Sequence, residues 1–126
     1  MKMNYVGIRV MDLEHSMKFY IEVLGLKEVK RGDMTEHGRG LWVLLQDETT
    51  EEKLELDWYP KGSLFEVPYV AGEGVDHISF EVEDVLYSYE ELISKGAEPT
   101  GVGPKETDGW QADVKDPDGN WIELYM

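Results

Sequence analysis

A chain of 126 residues, 41% of them hydrophobic and 31% charged, is the size of one ordinary globular domain with a core of its own. Twelve lysines and arginines against 27 aspartates and glutamates give a formal charge of −15, which repels phosphate backbones and excludes nucleic acid as a partner. Cysteine is absent, so disulfides, thiolate chemistry and Zn–Cys sites are excluded, and no apolar run approaches the roughly 18–20 residues of a membrane span.

The opening Met-Lys-Met-Asn-Tyr-Val runs into a strand pattern without a signal-peptide apolar region, so a cytoplasmic protein is expected. Over residues 4–10, Val6, Ile8 and Val10 alternate with Tyr5, Gly7 and Arg9, the period of a strand. Asp12 is placed to cap a helix whose apolar stripe is Leu13, Met17, Tyr20, Val23 and Leu24, with Gly25 as its C-terminal glycine. Strands are expected over about 26–31, 41–47 and 53–59, the first two separated by a glycine-rich loop that holds His37. His15 and His37 are expected at the surface.

Residues 60–76 carry Pro60, Gly62, Pro68, Gly72 and Gly74 and read as a connection. Leu64, Phe65, Val67, Tyr69 and Val70 make it too apolar for a free loop, so it is expected to cover a cavity mouth or a second subunit. The pattern then restarts. Ile78, Phe80 and Val82 alternate with His77, Ser79 and Glu81; Asp84 caps a helix with the stripe Val85, Tyr89, Leu92 and Ile93; Gly96 ends it. Strands over about 97–101, 110–115 and 120–125 follow, the last two joined by Asp116-Pro-Asp-Gly119, the residue order of a type I turn. One domain of two modules is expected, about 1–59 and 75–126, with a linker over 60–74.

The restart is a repeat. Tyr5-Val-Gly-Ile-Arg-Val-Met-Asp-Leu13 returns as His77-Ile-Ser-Phe-Glu-Val-Glu-Asp-Val85, an offset of 72, and Leu54-Glu55-Leu56 returns as Ile122-Glu123-Leu124, an offset of 68. Strand alternation puts Glu123 with Trp121 and Tyr125, Glu55 with Asp57 and Tyr59, His77 with Ser79 and Glu81, and Tyr5 with Gly7 and Arg9. All four repeat-related residues thus fall on the face away from the helices. That face either curls round a pocket or meets solvent, and pattern alone leaves both open. A lone strand histidine or glutamate is ordinarily a solvated residue. Pairing Tyr5 with His77 and Glu55 with Glu123 is what singles these four out for a divalent metal or an acid–base site.

The motifs Val6-Gly-Ile-Arg-Val-Met-Asp-Leu13, Ser16-Met-Lys-Phe-Tyr20, Leu24-Gly-Leu26, Asp76-His-Ile-Ser-Phe-Glu-Val82 and Lys115-Asp-Pro-Asp-Gly-Asn-Trp-Ile-Glu-Leu124 resemble those of the vicinal oxygen chelate superfamily, the glyoxalase I and bleomycin-resistance fold. The resemblance covers essentially the whole chain. It implies an α+β fold of two tandem βαβββ modules forming a cupped mixed sheet with helices on its outer face, usually in a homodimer. It also implies a divalent metal ion (Zn, Ni, Mn or Co) held by one residue from the first and last strand of each module, here Tyr5, Glu55, His77 and Glu123. Metal-dependent members generally have histidine or glutamine where Tyr5 stands. Glu55, His77 and Glu123 would still supply three ligands, with Asp57 able to replace or assist Glu55.

The implied chemistry is chelation of two neighbouring oxygens of a small-molecule substrate, with a carboxylate moving a proton. Glu123 is the first candidate for that base and Glu55 the second. Arg9 and Trp121 fall where glutathione-contacting residues occur in the family, so glutathione or another thiol is the implied cosubstrate. Against this, Glu55 is followed by Leu-Asp-Trp-Tyr rather than by the Asn-Trp pair of glutathione-dependent members. A lactoylglutathione-lyase-like activity leads, with acyl-thioester epimerisation as an alternative. Extradiol oxygenation would want a second histidine where Tyr5 stands. The rival class is a metal-free drug-binding protein using Tyr5, Trp42, Trp58, Trp110, Trp121 and Tyr125.

Overall fold

The computed structural model describes residues 2–34, 39–63, 68–101, 103–106 and 110–126. The expected surface place of His37, the apolar cover of Leu64, Phe65 and Val67, and the side chain of Trp110 lie outside the described residues. The chain divides into two compact units, Met1–Tyr69 and Val70–Met126.

The first unit runs β1 (Val6–Arg9), α1 (Leu13–Lys18), a π-helical turn (Phe19–Val23), β2 (Lys27–Met34), β3 (Gly40–Gln46) and β4 (Lys53–Trp58). Its sheet has the order β1-β4-β3-β2, with β1 parallel to β4 and the other pairs antiparallel. The second unit runs β5 (His77–Glu81), α2 (Val85–Ser94), β6 (Glu98–Pro99), β7 (Lys105–Glu106), β8 (Trp110–Lys115) and β9 (Trp121–Tyr125). There the order is β5-β9-β8-β6, with the two-residue β7 also paired to β8. Each unit is a βαβββ module, the α+β arrangement that the motifs imply.

Local chemistry explains why both helices start and stop where they do. The Asp12 carboxylate accepts the His15 backbone N–H at 2.9 Å, and Asp84 accepts that of Tyr87 at 2.9 Å, so each aspartate satisfies an orphan donor of the first turn. Gly25 and Gly96 take φ of 85° and 98° just past the helix ends, a left-handed conformation open to glycine.

The first helix departs from its expected stripe. The Leu24 N–H bonds the Phe19 carbonyl at 3.0 Å, five residues back, so the chain fits an extra residue into that turn. Ser16, Phe19 and Tyr20 are consequently the buried positions, while Leu13, Met17, Val23 and Leu24 are only half-buried. The Phe19 and Tyr20 rings meet edge to face at 5.3 Å.

Period-two alternation then sorts each sheet into two faces. Ile8, Val43, Leu45 and Leu56 are buried in the first unit, and Ala112, Val114, Ile122 and Leu124 in the second. Alpha1 packs against β4, and α2 against β8 and β9. Each fully buried Leu or Ile contributes on the order of 1.5–3 kcal/mol, enough to fix which face of the strand turns inward. The opposite face carries Gly7, Arg9, Glu55 and Asp57 in one unit and His77, Ser79, Gln111 and Glu123 in the other.

The turn before β9 is built around a buried carboxylate. Asp116, 3% exposed, accepts the Asn120 backbone N–H at 2.8 Å and that of Asp118 at 2.9 Å, while Asn120 Nδ2 donates to its second oxygen at 2.8 Å. The same device stands before β4, where Asp47 accepts the Thr49 and Thr50 backbone N–H groups at 2.6 and 3.0 Å. Both turns fix the register at which the glutamate-bearing strand begins.

Candidate functional site

In the first unit Gly7 pairs with Glu55 and Arg9 with Asp57 across the parallel β1–β4 ladder. Gly7 leaves room for a neighbour's side chain: a Cβ there would stand 2.8 Å from Asp57 Oδ2. Glu55 and Asp57, two residues apart on one face, hydrogen-bond to each other. Burial, then the charge of Asp57 and the hydrogen bond with it, push the Glu55 carboxyl above the usual carboxylate range, and a hydrogen bond with Tyr5 opposes this. Burial also raises the Asp57 carboxyl, while its bond with Glu55 pulls the other way. Tyr5 stands one residue ahead of β1, is 42% exposed, and belongs to this group through Glu55.

Asp57 also pairs with Trp42 on β3, whose indole lies across Gly32 of β2. Beyond the end of β4, a cleft of about 520 Å³ is lined by Arg9, Trp58, Tyr59, Lys61, Pro68 and Tyr69, among others. Burial first, then the charge of Asp57, raises the Tyr59 phenol, with Arg9 opposing. A guanidinium and an ammonium beside aromatic walls suit a ligand with an anionic group.

In the second unit His77 pairs with Trp121 and Ser79 with Glu123 across the parallel β5–β9 ladder, and Asp113 pairs with Glu123 from β8. His77 Nδ1 is 2.8 Å from Asp76 Oδ1, and its Nε2 lies 4.0 Å from Glu123 Oε1. The Asp76 hydrogen bond is the main cause that lifts the imidazole above its ordinary pKa; burial opposes it, and the charges of Glu123, Asp76 and Asp113 add to it. In the neutral ring with Nδ1–H donated to Asp76, Nε2 offers its lone pair to a cation, the usual orientation of a metal-binding histidine.

Glu123 Oε1 accepts from Ser79 Oγ at 2.8 Å, and Oε2 from Gln111 Nε2 at 2.7 Å. Asp113 is 4% exposed, and burial followed by the Glu123 charge raises its carboxyl. Trp121 and Tyr125 flank Glu123 along β9 and are 44% and 42% exposed.

The structure thus joins Tyr5 to Glu55 and sets His77 beside Glu123. Among the described residues, no group of three or more histidine, aspartate and glutamate side chains is gathered so as to hold a metal ion. The His77–Glu123 pair has suitable donor chemistry, since carboxylate oxygen and imidazole nitrogen without sulfur suit Zn, Ni, Mn or Co, whereas the neutral phenol of Tyr5 beside Glu55 is a weak donor to such ions. Two ligands about 2.1 Å from one tetrahedral ion stand about 3.4 Å apart, so the 4.0 Å of His77 and Glu123 needs to close by about 0.6 Å. His15 is exposed, as expected.

Sequence reasoning missed Gln111, Asp113 and Asp76, and gave Ser79 no role. The alternation of Gln111, Asp113 and Lys115 with Ala112 and Val114 carried a signal for the first two, because it turns them to the Glu123 face.

The chain is matched over residues 2–124 by the model of the Glyoxalase/Bleomycin resistance protein/Dioxygenase superfamily. It is 34% identical over 131 residues to a lactoylglutathione lyase of Neisseria meningitidis, covering 100% of this chain and 91% of that protein. A lactoylglutathione lyase of Arabidopsis thaliana is 32% identical over 97% of this chain, which spans 43% of that longer protein. In three dimensions the chain is similar to the trypanothione-dependent glyoxalase I of Leishmania major, with a TM-score of 0.78 and 31% identity over 99% of this chain and 86% of that one. It is also similar to TnmS3, an antibiotic binding protein of a Streptomyces species, with a TM-score of 0.74 and 27% identity over 99% and 95% of the two chains. The chain belongs to the glyoxalase/bleomycin resistance protein/dioxygenase superfamily.

Proposed function

We propose that this protein is a divalent-metal-dependent lyase of the glyoxalase type, acting on the adduct of a 2-oxoaldehyde and a thiol. The observation that carries the reading is the repeat-matched placing of Tyr5 beside Glu55 and of His77 beside Glu123, each on the sheet face opposite the core. Glu55, His77 and Glu123 would hold the ion, with Tyr5 completing the set as a ligand or through its hydrogen bond to Glu55. Once bound, the ion supplies Lewis acidity to two neighbouring substrate oxygens.

The remaining work falls to side chains. A carboxylate within about 3 Å of the acidic carbon takes its proton and returns it to the adjacent carbon. Glu55 and Glu123 are the two candidates. The raised pKa of Glu55, caused first by burial and then by Asp57, makes it more readily protonated than an ordinary carboxyl and suits it to carry a proton. Arg9, at the cleft in the first unit, and Trp121, beside Glu123, are assigned to the thiol, glutathione or another, with Arg9 meeting a carboxylate of it. Glyoxalase-type action in a cytoplasmic homodimer completes the reading; no described helix is long and apolar enough to cross a membrane. Epimerisation of an acyl thioester would draw on the same groups.

A second reading, capture of a drug-like aromatic ligand without chemistry, is favoured by the fold shared with the antibiotic binding protein and by the aromatic walls of the cleft. Metal analysis of purified protein and of His77→Ala separates the two. The lyase reading expects about one divalent ion per chain, lost in the variant, and turnover of methylglyoxal with glutathione. Protein that stays metal-free after incubation with Zn²⁺, Ni²⁺ and Mn²⁺ would overturn it in favour of the binding protein.

A further inference from the structure

The two repeat-related glutamates are held differently. Glu123 has a neutral donor on each oxygen: Ser79 Oγ on Oε1 at 2.8 Å, from the neighbouring parallel strand, and Gln111 Nε2 on Oε2 at 2.7 Å, reaching diagonally from β8. Each carboxylate oxygen has two lone pairs, so one accepted bond apiece fixes the rotation of the group and leaves a lone pair on each oxygen. The oxygen that Ser79 holds is the one facing His77 Nε2.

Glu55 has neither donor. The place of Ser79 is taken by Gly7, which pairs with Glu55 as Ser79 pairs with Glu123. A Cβ at Gly7 would stand 2.8 Å from Asp57 Oδ2, so Asp57 shuts a hydroxyl out of that position. The place of Gln111, which pairs with Tyr125, is taken by Trp42, which pairs with Asp57.

Building on the metal-dependent reading above, we propose that Ser79 and Gln111 are positioning residues, which clamp the Glu123 carboxylate toward His77 and make it the fixed ligand of the repeat-related pair. Neither touches the ion. Their contribution is pre-organisation: without them the carboxylate must be ordered when the ion arrives. Outer partners of this kind are typically worth about 10–100-fold in metal affinity.

The test is calorimetric titration of metal-stripped full-length protein with Mn²⁺ and with Ni²⁺, alongside thermal unfolding of the same samples. Ser79→Ala and Gln111→Met, an isostere without donors, are each expected to weaken affinity about 10-fold while the unfolding temperature of the stripped protein holds. Ser79→Thr keeps the hydroxyl on a side chain suited to a strand and restores wild-type affinity; it also serves if a variant fails to fold. Wild-type affinity in both Ser79→Ala and Gln111→Met, with binding lost in His77→Ala, overturns the clamp and leaves the metal-dependent reading standing. Wild-type protein that takes up neither ion overturns that reading and the clamp together.

Discussion

Replacing Gly32 by alanine is the sharpest test of how the sheet face opposite the core is built in the first module. Gly32 pairs with Trp42 across β2 and β3, and the indole lies flat over it. An added Cβ would meet Trp42 Cζ2 at 2.7 Å, Cε2 at 2.9 Å and Nε1 at 3.0 Å. Carbon atoms pack at about 3.5–4.0 Å, so the ring must lift by about 1 Å, on a strand where Trp42 also pairs with Asp57 of β4. Lifting it disturbs the Lys30 ammonium, 5.7 Å from the ring centroid.

Overpacking of this kind costs about 1–3 kcal/mol, and the lost flexibility of glycine in the unfolded chain returns about 0.4–1 kcal/mol. Gly32 does not have a positive φ, so the backbone itself accepts alanine. The net expectation is destabilisation by about 1–2 kcal/mol. An unfolding entropy of about 2.1 cal/mol/K per residue turns that into a fall of about 4–8 °C in melting temperature. The assay is thermal unfolding at fixed protein concentration, repeated in a Trp42→Leu background where the ring is gone. There Gly32→Ala should be neutral or slightly stabilising, giving a coupling of about 1–2 kcal/mol. Equal effects in the two backgrounds would refute the account, as would an unchanged melting temperature in the wild-type background.

Metal affinity should fall with pH, because a His77 ring whose pKa is raised chiefly by Asp76 must lose its proton before Nε2 can bind. Below that raised pKa the affinity should drop about tenfold per pH unit, and Asp76→Asn should move the onset to lower pH; a flat profile between about pH 6 and 8 would contradict it. Asp57→Asn should stabilise the protein at neutral pH. Since the folded-state pKa values of Glu55 and Asp57 are both raised, the pair contributes stability below the unfolded carboxyl range and loses it as pH rises through the folded values, so the gain over wild type should grow from acid to neutral pH in a series of melts. Asn120→Ala removes the donor to the second oxygen of buried Asp116 and should cost about 1–3 kcal/mol, read as a lower denaturant midpoint with an unchanged slope.

What could be read from the sequence was what is local and periodic. The caps at Asp12 and Asp84, the glycines past both helices and the Asp116-Pro-Asp-Gly turn depend on side chains within a few residues of the backbone groups they serve. The inward faces of β4 and β9 followed from alternation alone. The π-helical turn escaped because a 3.6-residue period carries no trace of an inserted residue, and its burial of Phe19 follows from tertiary packing. Beta2 reaches Met34, beyond the expected end near residue 31, because its pairing with β3 continues to Gly40 after a bulge between Glu28 and Lys30. The two-residue strands β6 and β7 exist through their partner β8 and have no periodicity of their own.

The same division explains the candidate site. Repeat symmetry located Tyr5, Glu55, His77 and Glu123, since residues at matching places in two copies of one motif take matching strand positions. It said nothing about their neighbours, which depend on which residues stand opposite across the ladder. Glu55 faces Gly7 and Leu44; Glu123 faces Ser79 and Asp113. One carboxyl therefore hydrogen-bonds to a second acid, Asp57, and its repeat-related partner accepts two neutral hydrogen bonds. A duplicated backbone places two acids alike, but the side chains that have diverged around them decide what each acid can do. That divergence does what symmetry alone cannot: it sets Glu55 against a second acid, and it holds Glu123 by a neutral donor on each oxygen.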